Sequence, residues 1–274
     1  MLTDLHMHSF FSFDGKSSAE DMCISAVDKG IGSIAFTEHY DILPTWATPD
    51  RVDNRTEYTA CDKEAYETIL SLKEKYTGKL NIIYSIELGQ SHHDLEASHA
   101  FIDAHCFDFV LGSIHQTRYG NYSDYYFLDY SKQNIPELME DYYNENAQLV
   151  SSGILDSLGH LDYPIRVMEG FIPYPVELKE YKEAVWEIMK LLVSRNIVLE
   201  INTTGLGRWF KRMSPEPWVL ELYREAGGKF VTVGSDTHSA EFVGFHSSDA
   251  IELAHSMGLK VVASFVNRTI TEVV

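Results

Sequence analysis

Leu2–Thr3–Asp4–Leu5–His6–Met7–His8 is a short, half-apolar run that ends in two histidines spaced two apart. Lys229–Phe230–Val231–Thr232–Val233–Gly234–Ser235–Asp236–Thr237–His238 repeats the plan near the other end, closing on a carboxylate and an imidazole at the same spacing. Alternate residues of a strand share a face, so His6 pairs with His8 and Asp236 with His238. Five further apolar runs lie between them, at 33–37, 80–86, 107–114, 154–161 and 196–201. They reach Glu38–His39, Glu87, His115, His160 and Glu200–Ile201–Asn202.

The segments between the runs have helical spacing, at 18–30, 62–76, 135–152, 176–195 and 217–226. Leu138, Tyr142 and Leu149 fall on one face of the third, and Ser17 or Ser18 with Asp21 reads as the N-cap of the first. Strands alternating with helices of this length imply parallel βαβ units. Seven runs predict an α/β fold with a barrel-like sheet of about seven strands. In a parallel barrel the C-terminal strand ends form one rim, where active sites are built. One histidine at a strand end is merely a polar residue leaving the core. So many strand ends carrying His, Glu or Asp describe one pocket.

Imidazole with carboxylate is a donor set for zinc, iron or manganese. A carboxylate has two oxygens and can bridge two ions, and Glu87 is placed for that task. Two such ions a few ångströms apart can clamp a phosphoryl group.

The rest of the composition narrows the class. The 274 residues fit one barrel and are read as a single domain, 1–274. Forty-one acidic residues against 22 basic ones give a net charge of −19, which argues against a nucleic-acid binder and against docking on anionic lipid. Cys23, Cys61 and Cys106 are widely spaced and form no CxxC pair, which suits a reducing cytoplasm. No signal peptide or membrane span is expected.

The ordered motifs resemble the polymerase and histidinol phosphatase (PHP) superfamily. They are His6-x-His8 with Asp14 just after, Thr37–Glu38–His39, Glu87, Gly112–Ser113–Ile114–His115, Gly159–His160–Leu161–Asp162 and Gly234–Ser235–Asp236–Thr237–His238. The resemblance spans essentially the whole chain. It implies a distorted (β/α)7 barrel with three divalent ions, Zn2+, Fe2+ or Mn2+. By that pattern His6, His8, Glu87 and Asp236 hold the first ion, Glu87, His115 and His160 the second, and Asp14, His39 and His238 the third. Glu87, Asp236 and His238 are the implied catalytic residues.

Length and loops resemble the histidinol-phosphate phosphatase branch, especially the long segment 40–60 and the aromatic stretch 116–132. That branch implies hydrolysis of L-histidinol phosphate to L-histidinol and phosphate, in histidine biosynthesis, by a hydroxide shared between two ions. The alternative is a PHP phosphoesterase acting on nucleotides or other small phosphate monoesters. Arg166 and Arg208 are the expected phosphate clamp, with Arg118 as a third candidate. Glu38 and Asp162 are candidates to pair with the substrate amine or to orient ligands. His92, His93, His99 and His105 read as a solvated helix leaving the third strand, with His92 and His99 on one face.

Overall fold

A computed structural model describes residues 1–42, 63–117, 123–173, 175–207 and 210–274. The expected loop 40–60 and the candidates Arg118 and Arg208 therefore fall wholly or largely outside the described residues. In chain order come β1 (Leu2–Met7), α1 (Ala19–Asp28), β2 (Ile31–Asp41), α2 (Lys63–Lys75), β3 (Asn81–Gly89), α3 (Leu95–Ala104) and β4 (Phe109–Ser113). A short hairpin of β5 (Gln116–Thr117) and β6 (Ser123–Asp124) precedes α4 (Ile135–Ser152). Then follow β7 (Ser157–Leu158), α5 (Tyr163–Met168), α6 (Lys182–Arg195), β8 (Val198–Asn202), α7 (Pro217–Glu225), β9 (Phe230–Gly234), α8 (Ser247–Ser256), β10 (Lys260–Val266) and β11 (Thr269–Val273).

The main sheet runs β1-β2-β3-β4-β7-β8-β9-β10-β11. Every neighbouring pair is parallel except β10 with β11. The seven anticipated strands are present, and two more extend the sheet beyond β9. The first strand also meets the segment after β9. Thr237 O accepts from His8 N at 2.8 Å, and His6 O accepts from Asp236 N at 2.7 Å. These two bonds bring the first and last metal-capable motifs side by side.

Helix α1 starts where the capping residues placed it, with Ser18 Oγ accepting from Asp21 N. The helices pack outward-facing residues of the strands into a large core. Met22 and Cys23 of α1, Tyr142 and Leu149 of α4, and Met189 and Leu192 of α6 are all fully buried in it. A second, smaller core lies on the other side of the sheet, made of Leu5, Ala35, Ile83, Phe109, Leu111, Val198, Val262 and Phe265. It fills the space enclosed by the curled sheet. In β3 the parity is plain: Ile82, Tyr84 and Ile86 join the outer core, while Ile83 joins the inner one. Glu87 is four residues past Ile83 and shares its face.

Candidate metal centre

Strand β1 breaks the simple alternation. Its register with β2 is irregular between Asp4 and Met7. Leu5 lies in the inner core and Met7 in the outer one, yet His6 and His8 both face inward toward Glu87. An irregular step of this kind re-aims a side chain beside a site.

Glu87 is completely buried at the centre of the cluster. Its Oε2 is 3.5 Å from His6 Nε2, 3.6 Å from His8 Nε2 and 2.8 Å from His39 Nδ1. Its Oε1 is 3.0 Å from His115 Nε2 and 2.8 Å from His160 Nε2. Asp236 Oδ1 stands 3.4 Å from His8 Nε2 and 3.7 Å from His6 Nε2. Asp14 Oδ2 is 3.1 Å from His238 Nε2, and its Oδ1 is 3.7 Å from His39 Nε2. The eight strand-end residues and Asp14 thus converge, and the two oxygens of Glu87 face different partners.

Four of the histidines are pinned from behind. His6 Nδ1 is 2.6 Å from Glu200 Oε1, His8 Nδ1 is 3.3 Å from Ser12 Oγ, and His115 Nδ1 is 3.2 Å from Asp41 Oδ1. His238 Nδ1 lies 3.1 Å from the Asp236 carbonyl. With Nδ1 engaged from behind, each ring turns its Nε2 to the centre, the orientation of a metal-ligating imidazole. The Nε2 atoms of His6 and His8 are buried without a hydrogen-bond partner among the described residues. Unpartnered buried polar atoms are costly, and convergent ones call for a cation. Overlapping groups here could each hold an ion: His8–His39–His238, His6–His8–Glu87 and His39–Glu87–His115.

The electrostatics agree. Burial would push the Glu87 carboxyl up, but His115, His6 and His39 beside it hold it well below the usual range. Asp236 is likewise held far down against its burial, by His6, His8 and Arg166. Burial lowers His8, and neighbouring His39 and His238 lower it further. Burial alone would lower His115 too, but the Glu87 and Asp41 carboxylates outweigh it and raise this ring to about 10.

A cavity of about 330 Å³ opens over the cluster, lined by His39, His115, His160, Asp236, Tyr163 and Arg166 among others. Arg166 sits at its wall. Its guanidinium donates to Asn202 Oδ1 and Asp236 Oδ2, both at 3.2 Å, and lies over the Tyr163 ring. The residues proposed for the substrate amine are elsewhere engaged. Glu38 accepts from Ser9 Oγ at 2.6 Å and from Ser12 Oγ, which anchors the turn after β1. Asp162 accepts from Ser214 Oγ. Asp124 lines the cavity instead. His92 and His93 are not on a solvated helix: their side chains are 4% and 3% exposed and meet Glu145 of α4.

Sequence reading gave no role to Glu200, Asp41, Ser12 and Asn202. Glu200 carried a usable signal, because it shares its strand face with Val198 of the inner core. Asp41 shares that signal with Ala35.

A model of the PHP domain matches residues 4–204. A probable histidinol-phosphatase of Clostridium acetobutylicum is 31% identical over 268 residues, covering 96% of each chain. The histidinol-phosphatase of Lactococcus lactis is 29% identical and covers 94% of this chain and 95% of its own. The crystal structure of histidinol phosphate phosphatase from L. lactis, in complex with zinc, L-histidinol and phosphate, superimposes with a TM-score of 0.76 over 99% of both chains at 25% identity. A putative histidinol phosphatase from Listeria monocytogenes shares the fold, with a TM-score of 0.80 at 18% identity.

Proposed function

The chain belongs to the PHP domain family, and from that premise we propose that it is a metal-dependent phosphomonoesterase that hydrolyses L-histidinol phosphate to L-histidinol and phosphate. The observation that carries this reading is the convergence of nine ligand-competent side chains, five of them imidazoles that meet the two oxygens of the ninth, Glu87. His6, His8, Glu87 and Asp236 would hold one divalent ion. Glu87, His115 and His160 would hold a second, and Asp14, His39 and His238 a third. Bound there, such ions lower the pKa of water to near neutrality and offset charge on a phosphoryl group.

The chain's own groups do the rest. Glu200, Ser12 and Asp41 keep the imidazoles in the ligating tautomer. Arg166 has its plane fixed by Asn202 and Asp236 and presents its charge to the cavity, where a phosphate would meet it. Asp236 stays ionised and close to the reacting centre, fit to take the proton that an attacking water gives up. His238 stands at the rim beside Asp14. Asp124 offers the substrate amine a carboxylate at the cavity wall. Arg208 completes the phosphate clamp in this reading.

The whole chain reads as one domain, because β10 and β11 continue the same sheet. No helix among the described residues is long and apolar enough to cross a membrane. The separated cysteines support a cytoplasmic enzyme, and the net charge of −19 supports a small substrate over a nucleic acid. The test is kcat/KM for histidinol phosphate, p-nitrophenyl phosphate and AMP at equal metal loading. Histidinol phosphate is expected to lead by orders of magnitude, since three matched polar groups are each worth about 1–3 kcal/mol. AMP turned over equally well would make the chain a nucleotide phosphoesterase.

A further inference from the structure

A second cluster of metal-capable side chains lies apart from the nine. His92 and His93 belong to a single 3-10 turn, Ser91–His93, that follows β3. Glu145 comes from the middle of α4. All three side chains are at least nine-tenths buried. His92 Nε2 is 2.8 Å from Glu145 Oε2, and His93 Nε2 contacts the same oxygen.

That geometry has a counterpart within the molecule. At the metal centre, His115 Nε2 and His160 Nε2 both meet one oxygen of Glu87, at 3.0 and 2.8 Å. In both places two imidazoles from the ends of secondary structure converge by Nε2 on one buried carboxylate oxygen. The donor atoms of His92, His93 and Glu145 lie within 4.8 Å of one another. The two rings hold the Glu145 carboxyl down to about 2 against its burial, so it is ionised at neutral pH. Two neutral imidazoles and a carboxylate are a common zinc donor set.

The location gives the node a task. Gln90 precedes the turn in a left-handed conformation, with φ of 51°. Its Oε1 accepts from His115 N at 2.7 Å, and its own N donates to Ser113 O at 3.0 Å. The turn that bears His92 and His93 is therefore continuous with the residue that seats His115. Tying it to α4 would hold that seat in place.

We propose that His92, His93 and Glu145 form an additional metal site, taking a zinc-type divalent ion that clamps the turn after β3 to α4. The site shares no residue with the catalytic cluster and does not depend on the substrate reading. The experiment loads the full chain with zinc, dialyses it against metal-free buffer and measures zinc per chain by elemental analysis. Wild type is compared with Glu145→Gln, and with His92→Gln in case the first variant fails to fold. A folded variant should hold one equivalent fewer than wild type and melt at a lower temperature, while still turning over phosphate esters. Equal zinc content in wild type and a folded variant overturns the proposal. Anomalous scattering at the zinc edge from crystals of the loaded wild type needs no variant. A peak between the two rings and Glu145 supports the site, and its absence at full occupancy of the catalytic cluster refutes it.

Discussion

Ile83 and Glu87 stand on one face of β3, and neither is more than marginally exposed. Around Ile83 the inner core is built of apolar side chains, and the Phe109 and Phe265 rings stack there at 4.6 Å. Around Glu87 five imidazoles crowd a carboxylate. Between the two levels runs a polar step, where Ser157 and Thr232 share a hydrogen bond across the interior. Ile83 and Glu87 are equally buried, so burial does not distinguish them. They differ in what burial does. Apolar groups there gain about 25 cal/mol per Å² removed from water. Charged groups there are costly unless paired, so the upper region keeps its charges for chemistry at the expense of stability.

Substitutions should separate the two regions. The largest effect is expected from Glu87→Gln, which keeps the shape and removes the central charge. Turnover should fall by at least about a thousandfold, as when a charge-stabilising group is lost, while far-UV circular dichroism stays native. Activity above about a tenth of wild type would move the bridge away from Glu87. Phe109→Ala should do the opposite. It empties the lower region and should cost about 3–5 kcal/mol in a denaturant titration, with kcat per folded molecule unchanged. A loss of kcat without a loss of stability would show that the two regions are not independent.

Arg166→Met tests the wall of the upper region. Losing a charged hydrogen-bond donor is worth about 1.5–3 kcal/mol, or roughly ten- to a hundredfold and more in kcat/KM. The loss should be similar for every phosphate ester tried, because the clamp reads phosphate alone. A loss confined to histidinol phosphate would place Arg166 on the other half of the substrate.

The smallest effect concerns pH. Burial raises the Asp162 carboxyl from 3.8 to about 7, and Arg166 nearby only partly offsets it. Between those values the folded state keeps a proton that the unfolded state has released. This group therefore lowers stability as pH rises through that window, and its contribution is most favourable below it. Asp162→Asn should flatten that part of the curve of melting temperature against pH. An unchanged slope would assign it to other groups.

Much of this was legible in the chain. His6 and His8 read as inward from spacing alone, and parity carried Glu87 to the interior. The eight strand-end residues and Asp14 come together in the structure, and Arg166 reaches the cavity. The irregular step between Asp4 and Met7 left no mark in the residues, because a bulge depends on the pairing with β2. The role of Glu200 was hidden because its partner, His6, lies 194 positions away. Strands β10 and β11 went unread for a local reason. Their turn uses Asn267 and Arg268 at φ of 46° and 63°, the positive-φ pair of a two-residue hairpin, without the glycine that usually announces one. Arg268 is held there by tertiary contacts, with its guanidinium on Asp156 at 2.9–3.1 Å. The burial of His92 and His93 was missed because it depends on α4 folding back over them.

The inner core also sets an order of events. Leu5, Ala35, Ile83 and Phe109 are synthesised early, but Val262 and Phe265 complete their packing only when β10 has left the ribosome. His6 likewise waits for Glu200 and Asp236. Helices such as α1 and α2 can form as they emerge, while the interior and the centre above it cannot assemble until β9 and β10 have been made. The early strands then wait with their apolar faces uncovered, the condition in which unpaired strands are prone to aggregate.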